Sequence, residues 1–336
     1  MTTLSGSTRK VFILAFILCS LMVIRPCAKA LAQQAPQYTQ EEYGAYQAIT
    51  GESDPAKKID LIEKFYKTYP KSTLQQYIVS DFQGMLKRLQ DGKKWSQIVT
   101  LGRQFLSLVP DDAYTIALVA AGYQETKNYK EFVVFGEEAY RKTPNGNVAY
   151  SLAKAYQSLG NNAKFVEWAE KTVQRLPDNY EMLFLLAGYY GDAQNFAQAD
   201  KYSRECLKVI QAATKPEQTS EKDWAASTKQ VQMACYYILG WSAFSRSDFP
   251  TAITNLENSL KLNPRNDRAY YYLAESYWQT QKTEMALRDY AKASLLGGAV
   301  AGPARQKLES LFKQMHRGSL VGLDKYIEIA KAELNK

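Results

Sequence analysis

The chain has 336 residues, of which 46% are hydrophobic and 23% are charged, a mixture typical of a folded globular protein. Its single histidine, His316, excludes metal sites built from several histidines, and no cysteine lies near it in the sequence to form a Cys–His nucleophilic pair. The formal net charge is +8, so the distribution of the basic residues decides whether an anionic partner is indicated.

The first 32 residues resemble a secretory signal peptide. A basic pair precedes an uncharged run at residues 11–24, which is shorter than the roughly 18 residues that a membrane-spanning helix needs. Ala30 and Ala32 are the small residues that signal peptidase requires, so we expect cleavage after Ala32 and export to the periplasm or the cell surface. Two basic residues after the run leave an uncleaved anchor as the alternative, and this is the one membrane contact that the sequence indicates.

Four of the positive charges lie in that leader, which leaves +4 on the rest of the chain. Basic pairs in the remainder, such as Lys57-Lys58 and Lys93-Lys94, have acidic residues nearby, as on an ordinary solvated surface. The charge pattern therefore gives no support for a nucleic acid partner.

Prolines punctuate the body of the chain at spacings of 40, 34, 33 and 87 residues. The last spacing corresponds to two units of about 34 residues with an insertion. The prolines are Pro70, Pro110, Pro144, Pro177 and Pro264. Apolar residues recur at spacings of three and four between them, and two helices of about fourteen residues fit each interval. The sequence thus predicts a row of helical hairpins.

The hairpins resemble the tetratricopeptide repeat, a pair of antiparallel helices with Leu, a small residue and Tyr in its first helix. Its second helix has a small residue, an aromatic residue and Ala, and Pro follows. The matching residues are Leu152, Ala153, Tyr156 and Pro177; Leu239, Gly240, Phe249, Ala252 and Pro264; and Leu273, Ala274, Tyr277, Ala286, Tyr290 and Ala293. Phe132 and Phe165 depart from the pattern, because each stands where a small residue is usual, and this predicts looser or shifted packing.

The resemblance implies an all-α, right-handed superhelical solenoid of about seven stacked antiparallel helix pairs. It covers roughly residues 38–298 and is closer from residue 113 onward. The expected organisation is a signal peptide at 1–32, degenerate repeats at 33–110, repeats with an insertion near 211–229 at 111–298, and capping helices at 299–336. His316 then falls at the end of the first capping helix, where a capping role is expected rather than a catalytic one.

The insertion contains a helix start signal, Ser220 with Asp223 three residues later, so a helix is expected to run from there past Trp224 into the next repeat. Surface elaboration is the favoured interpretation of the insertion, and a lip over the binding groove is the alternative.

Cys206 and Cys235 are the cysteines that remain after cleavage of the leader. A disulfide between them would close a loop of about 30 residues and stabilise the fold by roughly 3 to 4 kcal/mol. The alternative is a pair of small buried thiols, and the spacing does not decide between the two.

In the tetratricopeptide repeat family, residues of the first helices line a concave groove. The corresponding positions here hold Tyr114, Gln124, Tyr150, Lys154, Gln157, Phe184, Tyr237, Trp241, Phe244, Tyr271, Glu275 and Trp278, eight of which are aromatic. Rigid aromatic side chains suit an extended peptide of a partner protein or, as an alternative, a glycan or small ligand. Some of these rings are expected to serve the core instead.

Catalytic motifs for phosphate loops, dinucleotide binding, hydrolase elbows and zinc proteases do not occur in the sequence. Adjacent acidic pairs such as Glu41-Glu42 point about 100° apart on a helix and do not converge on a substrate. We therefore predict a non-enzymatic scaffold without a cofactor or metal. A cell-wall sugar hydrolase that uses two distant carboxylates is the second alternative.

Overall fold

The structure, a computed structural model, describes residues 38–335, so the predicted signal peptide lies outside the described residues. Within this range the chain forms sixteen α-helices and no strand, which confirms the all-α prediction. The helices are α1 (Gln40–Gly51), α2 (Pro55–Thr68), α3 (Gln75–Asp91), α4 (Trp95–Leu108), α5 (Ala113–Glu125), α6 (Tyr129–Lys142), α7 (Gly146–Ser158), α8 (Asn162–Arg175), α9 (Tyr180–Asp192), α10 (Phe196–Ala212), α11 (Glu221–Ser245), α12 (Phe249–Leu262), α13 (Asp267–Gln279), α14 (Thr283–Leu295), α15 (Ala301–Met315) and α16 (Leu323–Leu334).

The first fourteen of these helices form seven consecutive hairpins, and α15 and α16 both pack against α14 as the predicted cap. Asn or Asp side chains accept hydrogen bonds from backbone amides at the start of many helices, as Asn179 does from Met182 (3.0 Å) and Asn266 from Ala269 (3.0 Å). These N-caps explain why the helices restart soon after each proline turn. The chain is a solenoid of helical repeats.

Small residues bring the paired helices together where the sequence pattern requires it. An ideal Cβ added to Gly240 of α11 would lie 2.6 Å from Leu256 Cγ and 3.1 Å from the Leu256 backbone nitrogen of α12. Any side chain at this position would overlap the partner helix, so glycine permits the close approach of α11 and α12.

The packing at Phe132 is shifted along the helix and is not looser, which corrects one of the two expectations. Phe132 is fully buried in α6, and the small residue lies one turn later at Gly136. A Cβ on Gly136 would lie 2.8 Å from Leu152 Cδ2 of α7. Phe165 repeats the arrangement in α8, since it is buried and Ala169 follows it one turn later with no exposure.

Successive hairpins are joined by hydrogen bonds from a tyrosine of one first helix to a glutamate of the preceding second helix. The pairs are Tyr156 with Glu137 (2.7 Å), Tyr190 with Glu170 (2.8 Å) and Tyr277 with Glu257. At the insertion, where Ala243 replaces the tyrosine, the joint is an ion pair between Arg246 Nη2 and Asp200 Oδ2 (2.6 Å). We refer to the three tyrosine–glutamate pairs as the inter-repeat bonds.

The insertion and the cap agree with the local predictions. Ser220 Oγ accepts a hydrogen bond from the Asp223 amide (3.1 Å), and α11 runs from there through the following repeat. His316 follows the last residue of α15, with Nδ1 2.9 Å from the Phe312 carbonyl oxygen and its ring stacked on the Phe312 ring at 3.9 Å. These contacts confirm a helix-capping role for His316.

Candidate binding surface

The first helices of the hairpins form the inner side of the solenoid. In the described part of the chain, first helices of neighbouring hairpins lie close together. Examples are α5 with α7, α9 with α11, and α11 with α13. The second helices α6, α8, α10 and α12 make no comparable approach to one another within that part. A row of helices that is closer together lies on the inside of a bend, so the first helices from α5 onward line the concave face. At the start of the described chain the second helices α2 and α4 also lie close together.

The structure places every predicted groove residue on a first helix, but it separates them into groups. Rings of α11 and α13 contact one another, whereas Tyr150 and Lys154 of α7 belong to a polar cluster. The predicted groove is therefore two different surfaces along one face.

Four aromatic side chains of α11 and α13 form the ring cluster, namely Trp241, Phe244, Tyr271 and Tyr272. Their ring centroids lie 6.5 Å apart for Trp241 and Tyr272, 5.1 Å for Phe244 and Tyr272, and 5.6 Å for Tyr271 and Tyr272. These are tilted and edge-to-face contacts, the geometries that aromatic rings prefer. All four side chains are only partly buried, so the cluster presents aromatic surface to solvent.

Tyr272 is the ring that the sequence prediction missed. It links Trp241 and Phe244 of α11 to Tyr271 of α13, and it is therefore central to the ring cluster. The signal was the run Tyr270-Tyr271-Tyr272, in which two neighbours share the inner side of one helix turn.

Other predicted rings contribute differently at this end of the surface. Tyr237 packs against the core, and burial raises the pKa of its phenol to about 12. Trp278 remains 36% exposed and lines a cavity of about 220 Å³ with Tyr290 and residues of α15. Tyr237 is therefore packed against the same core as Phe244, Tyr271 and Tyr272, and Trp278 extends the aromatic surface toward the cap.

Glu275 is buried below these rings with a partner from the cap. Lys307 Nζ of α15 lies 3.0 Å from Glu275 Oε1. A buried carboxylate needs such a partner to offset its lost hydration. Glu275 is thus engaged within the protein and ties the first capping helix to α13.

The polar cluster joins α7 to α9. Tyr150 Oη donates to Glu181 Oε2 (2.7 Å), and Lys154 Nζ donates to Glu181 Oε1 (2.8 Å). Burial, together with the hydrogen bond to Glu181, raises the pKa of Tyr150 above its ordinary range. Lys154 is neutralised by this carboxylate, so it is not available as a free cation for an incoming carboxylate.

Helix α9 contributes Glu181 to the polar cluster in its first turn and leaves open space farther along, at Gly188. Phe184 is partly buried against the core, and no atom lies within 4 Å of a Cβ added to Gly188. Gln157 and Tyr114 are exposed farther along the face, away from the ring cluster. The backbone of a bound chain could therefore pass close to α9.

Cys206 and Cys235 lie side by side between α10 and α11, with no exposure to solvent. Both are free thiols in the structure, and Cys206 Sγ donates to the Tyr180 carbonyl oxygen (3.4 Å). A side-chain hydrogen bond with Cys206, followed by burial, raises the pKa of Cys235 above its ordinary range. The two thiols are therefore neighbours in the core. A disulfide between them stays a prediction.

Residues 38–335 hold no group of three or more His, Cys, Asp or Glu side chains placed to bind a metal ion. No helix in that range combines the length and the apolar character needed to cross a bilayer.

Comparison with known proteins identifies the repeat. The tetratricopeptide repeat profile matches residues 237–304, the segment that holds the ring cluster. Residues 237–304 carry the tetratricopeptide repeat. No curated protein matches the sequence.

The tetratricopeptide repeats are also similar in fold to solved structures. MamA is 23% identical, with 53% of this chain and 91% of that chain covered and a TM-score of 0.39. PilF of Pseudomonas aeruginosa is 17% identical, with 65% of this chain and 96% of that chain covered and a TM-score of 0.37. Yeast Tom70 is 15% identical, with 85% of this chain and 57% of that chain covered and a TM-score of 0.39.

Tetratricopeptide repeats stack into an extended surface that suits protein interaction, because each hairpin adds a new strip of inner face. In its general form, this chain is an interaction scaffold.

Proposed function

We propose that this chain is an exported scaffold that binds an extended, apolar segment of a partner protein at the ring cluster of α11 and α13. The observation that carries the proposal is the set of contacting, half-buried rings on the concave face. Rings that are held by their neighbours lose little side-chain entropy on binding, and they are the typical anchors of protein interfaces.

The composition of the cluster favours a peptide over a sugar at this place. The rings contact one another, and Glu275, the acidic group beside them, is bonded to Lys307. A sugar needs polar partners beside each ring to satisfy its hydroxyl groups. A peptide with apolar side chains satisfies the cluster through packing alone.

The polar cluster argues against recognition of a partner's C-terminal carboxylate. Such recognition uses unpaired cations on consecutive first helices, and Lys154 is already paired with Glu181 at 2.8 Å. Binding is therefore assigned to side-chain packing on α11 and α13, with no covalent chemistry.

A peptide library displayed on phage and selected on the immobilised chain tests the binding site. Peptides enriched on the unaltered chain are expected to bind the Trp241→Ala/Trp278→Ala double variant at least about tenfold more weakly, because anchor rings carry more than about 1 kcal/mol each. Val134→Ala on α6, which is 71% exposed, is the matched control and should leave binding unchanged.

Equal binding of the selected peptides to the unaltered chain and to the double variant would overturn the assignment to the ring cluster. Helicity by circular dichroism must agree among the three proteins, so that a loss of binding reports the surface and not unfolding.

Export is the second part of the proposal, and it is supported by the leader sequence at residues 1–32. Intact-mass analysis of the protein from the periplasmic fraction of an expressing bacterium is expected to give a chain that begins at Gln33. A full-length chain confined to the cytoplasmic fraction would contradict export.

A further inference from the structure

A second candidate site lies on the opposite, outer side of the solenoid. It is a cleft of about 930 Å³ between the second helices α8 and α10, closed at one end by the connection at residues 213–220 and the start of α11. Its volume falls in the range of about 300 to 1,000 Å³ that is usual for ligand pockets. None of the predicted groove residues lines it.

The insertion builds one wall of this cleft. Lys215 Nζ donates to the carbonyl oxygens of Thr219 (2.9 Å) and Pro216 (3.4 Å), which folds the connection into a compact loop. Trp224, in the first turn of α11, packs edge-to-face on Tyr180 at 6.0 Å. The structure therefore places Trp224 at the edge of the outer cleft, and surface elaboration stays an interpretation of the insertion.

Polar groups of both kinds stand beside these rings. Asp178 and Glu205 offer acceptors, and Lys208 offers donors; among the described residues none of the three side chains has an ion pair or a hydrogen bond. Lys201 also lines the cleft, with Nζ 4.8 Å from the centroid of the Tyr202 ring.

The acid nearest to Tyr202 is already satisfied. Glu170 Oε1 accepts hydrogen bonds from Tyr190 Oη (2.8 Å) and Tyr202 Oη (3.2 Å). The lining thus combines rings with three carboxylates and two ammonium groups, since the hydrogen bonds from the two phenols leave the charge of Glu170 in place.

We propose that this outer cleft binds a neutral oligosaccharide, with one sugar face against Trp224 and Tyr180 and hydroxyl groups bonded to Asp178, Glu205 and Lys208. Because the lining holds three carboxylates and two ammonium groups, its net attraction to a charged ligand is weak. A polyhydroxyl ligand uses donors and acceptors together and also offers an apolar face to the rings. The glycan alternative from the sequence thus applies to this cleft and not to the inner groove.

Isothermal titration calorimetry with maltotriose, cellotriose and chitotriose tests the proposal on the full exported chain. At least one trisaccharide is expected to bind, and Trp224→Ala is expected to weaken that binding by about tenfold or more. Trp278→Ala, which removes a ring of the inner face, is the matched control and should have no effect. Glu205→Gln and Lys208→Met alter exposed side chains, so they should lower the affinity without disturbing the fold.

Trilysine and triglutamate peptides are titrated in the same way, as a cationic and an anionic comparison ligand. The proposal would be overturned if all three trisaccharides failed to bind. Tighter binding of either charged peptide than of every sugar would overturn it too, as would sugar binding that Trp224→Ala, Glu205→Gln and Lys208→Met all leave intact. Peptides selected at the ring cluster should not compete with the sugar, because the two sites lie on opposite sides.

Discussion

Two glycines of the first helices differ in the space around them, and this predicts opposite effects of the same substitution. Gly240→Ala places a Cβ 2.6 Å from Leu256 Cγ, so we expect a loss of about 1 to 3 kcal/mol in the free energy of unfolding from overpacking. Gly188→Ala meets no atom within 4 Å and should gain about 0.5 to 1 kcal/mol, because alanine favours the helix. Urea unfolding of the two variants measures both changes. A gain in stability from Gly240→Ala would contradict the close approach of α11 and α12.

Asp289 of α14 is a buried acid whose ionisation opposes folding. Burial raises its pKa to about 7, and nearby Glu333 and Glu257 act in the same direction, while Lys292 at 3.5 Å lowers it. Between about pH 4 and pH 7 the folded chain keeps a proton that the unfolded chain releases. The contribution of this group to stability therefore falls as the pH rises through that window.

Asp289→Asn removes this titration. The variant is expected to gain thermal stability relative to the unaltered chain as the pH rises from about 4 to 7, and the gain should level off above that. Melting temperatures measured from pH 4 to 8 check the expectation. Two parallel curves would show that Asp289 ionises normally in the folded protein.

At the scale of the helices, the inter-repeat bonds differ in whether the glutamate has other hydrogen-bond donors besides its tyrosine. Glu257 has Tyr277 as its hydrogen-bond donor among the described residues, whereas Glu137 also has Trp168 Nε1 at 3.3 Å and Lys164 Nζ at 3.4 Å. Tyr277→Phe should therefore lower the free energy of unfolding by about 1 to 2 kcal/mol, and Tyr156→Phe should lower it less. Chemical unfolding of both variants tests the order, and an equal cost would show that the extra donors contribute nothing.

Sequence periodicity predicted the elements and missed most of the contacts between them. Helix faces follow from spacings of three and four residues, and Trp241, Phe244 and Tyr271 do lie on first helices. Their role in binding a partner stays a prediction. The bonds from Tyr150 and Lys154 to Glu181 cross from α7 to α9, and no local pattern encodes that distance. The outer cleft was missed for the same reason, because it depends on how Lys215 folds the insertion.

At the scale of the whole molecule, disturbance should stay local, since each hairpin contacts mainly its neighbours. Removal of residues 323–336 would uncover the face of α14 and break the bond from Tyr326 Oη to Glu284 (2.7 Å). Amide hydrogen exchange is expected to increase in α13, α14 and α15 and to remain unchanged in α1 to α4. A uniform increase along the chain would show that the solenoid unfolds as one unit.

The inter-repeat bonds also limit how this protein could gain or lose hairpins during evolution. Each acceptor glutamate lies in the hairpin that precedes its tyrosine, so a recombination that excises α9 and α10 would bring α11 against α8. Helix α11 has Ala243 at the position of the tyrosine, and Glu170 would lose both of its phenolic donors. We therefore expect a deletion or duplication to be tolerated best where each acceptor glutamate keeps its donor tyrosine.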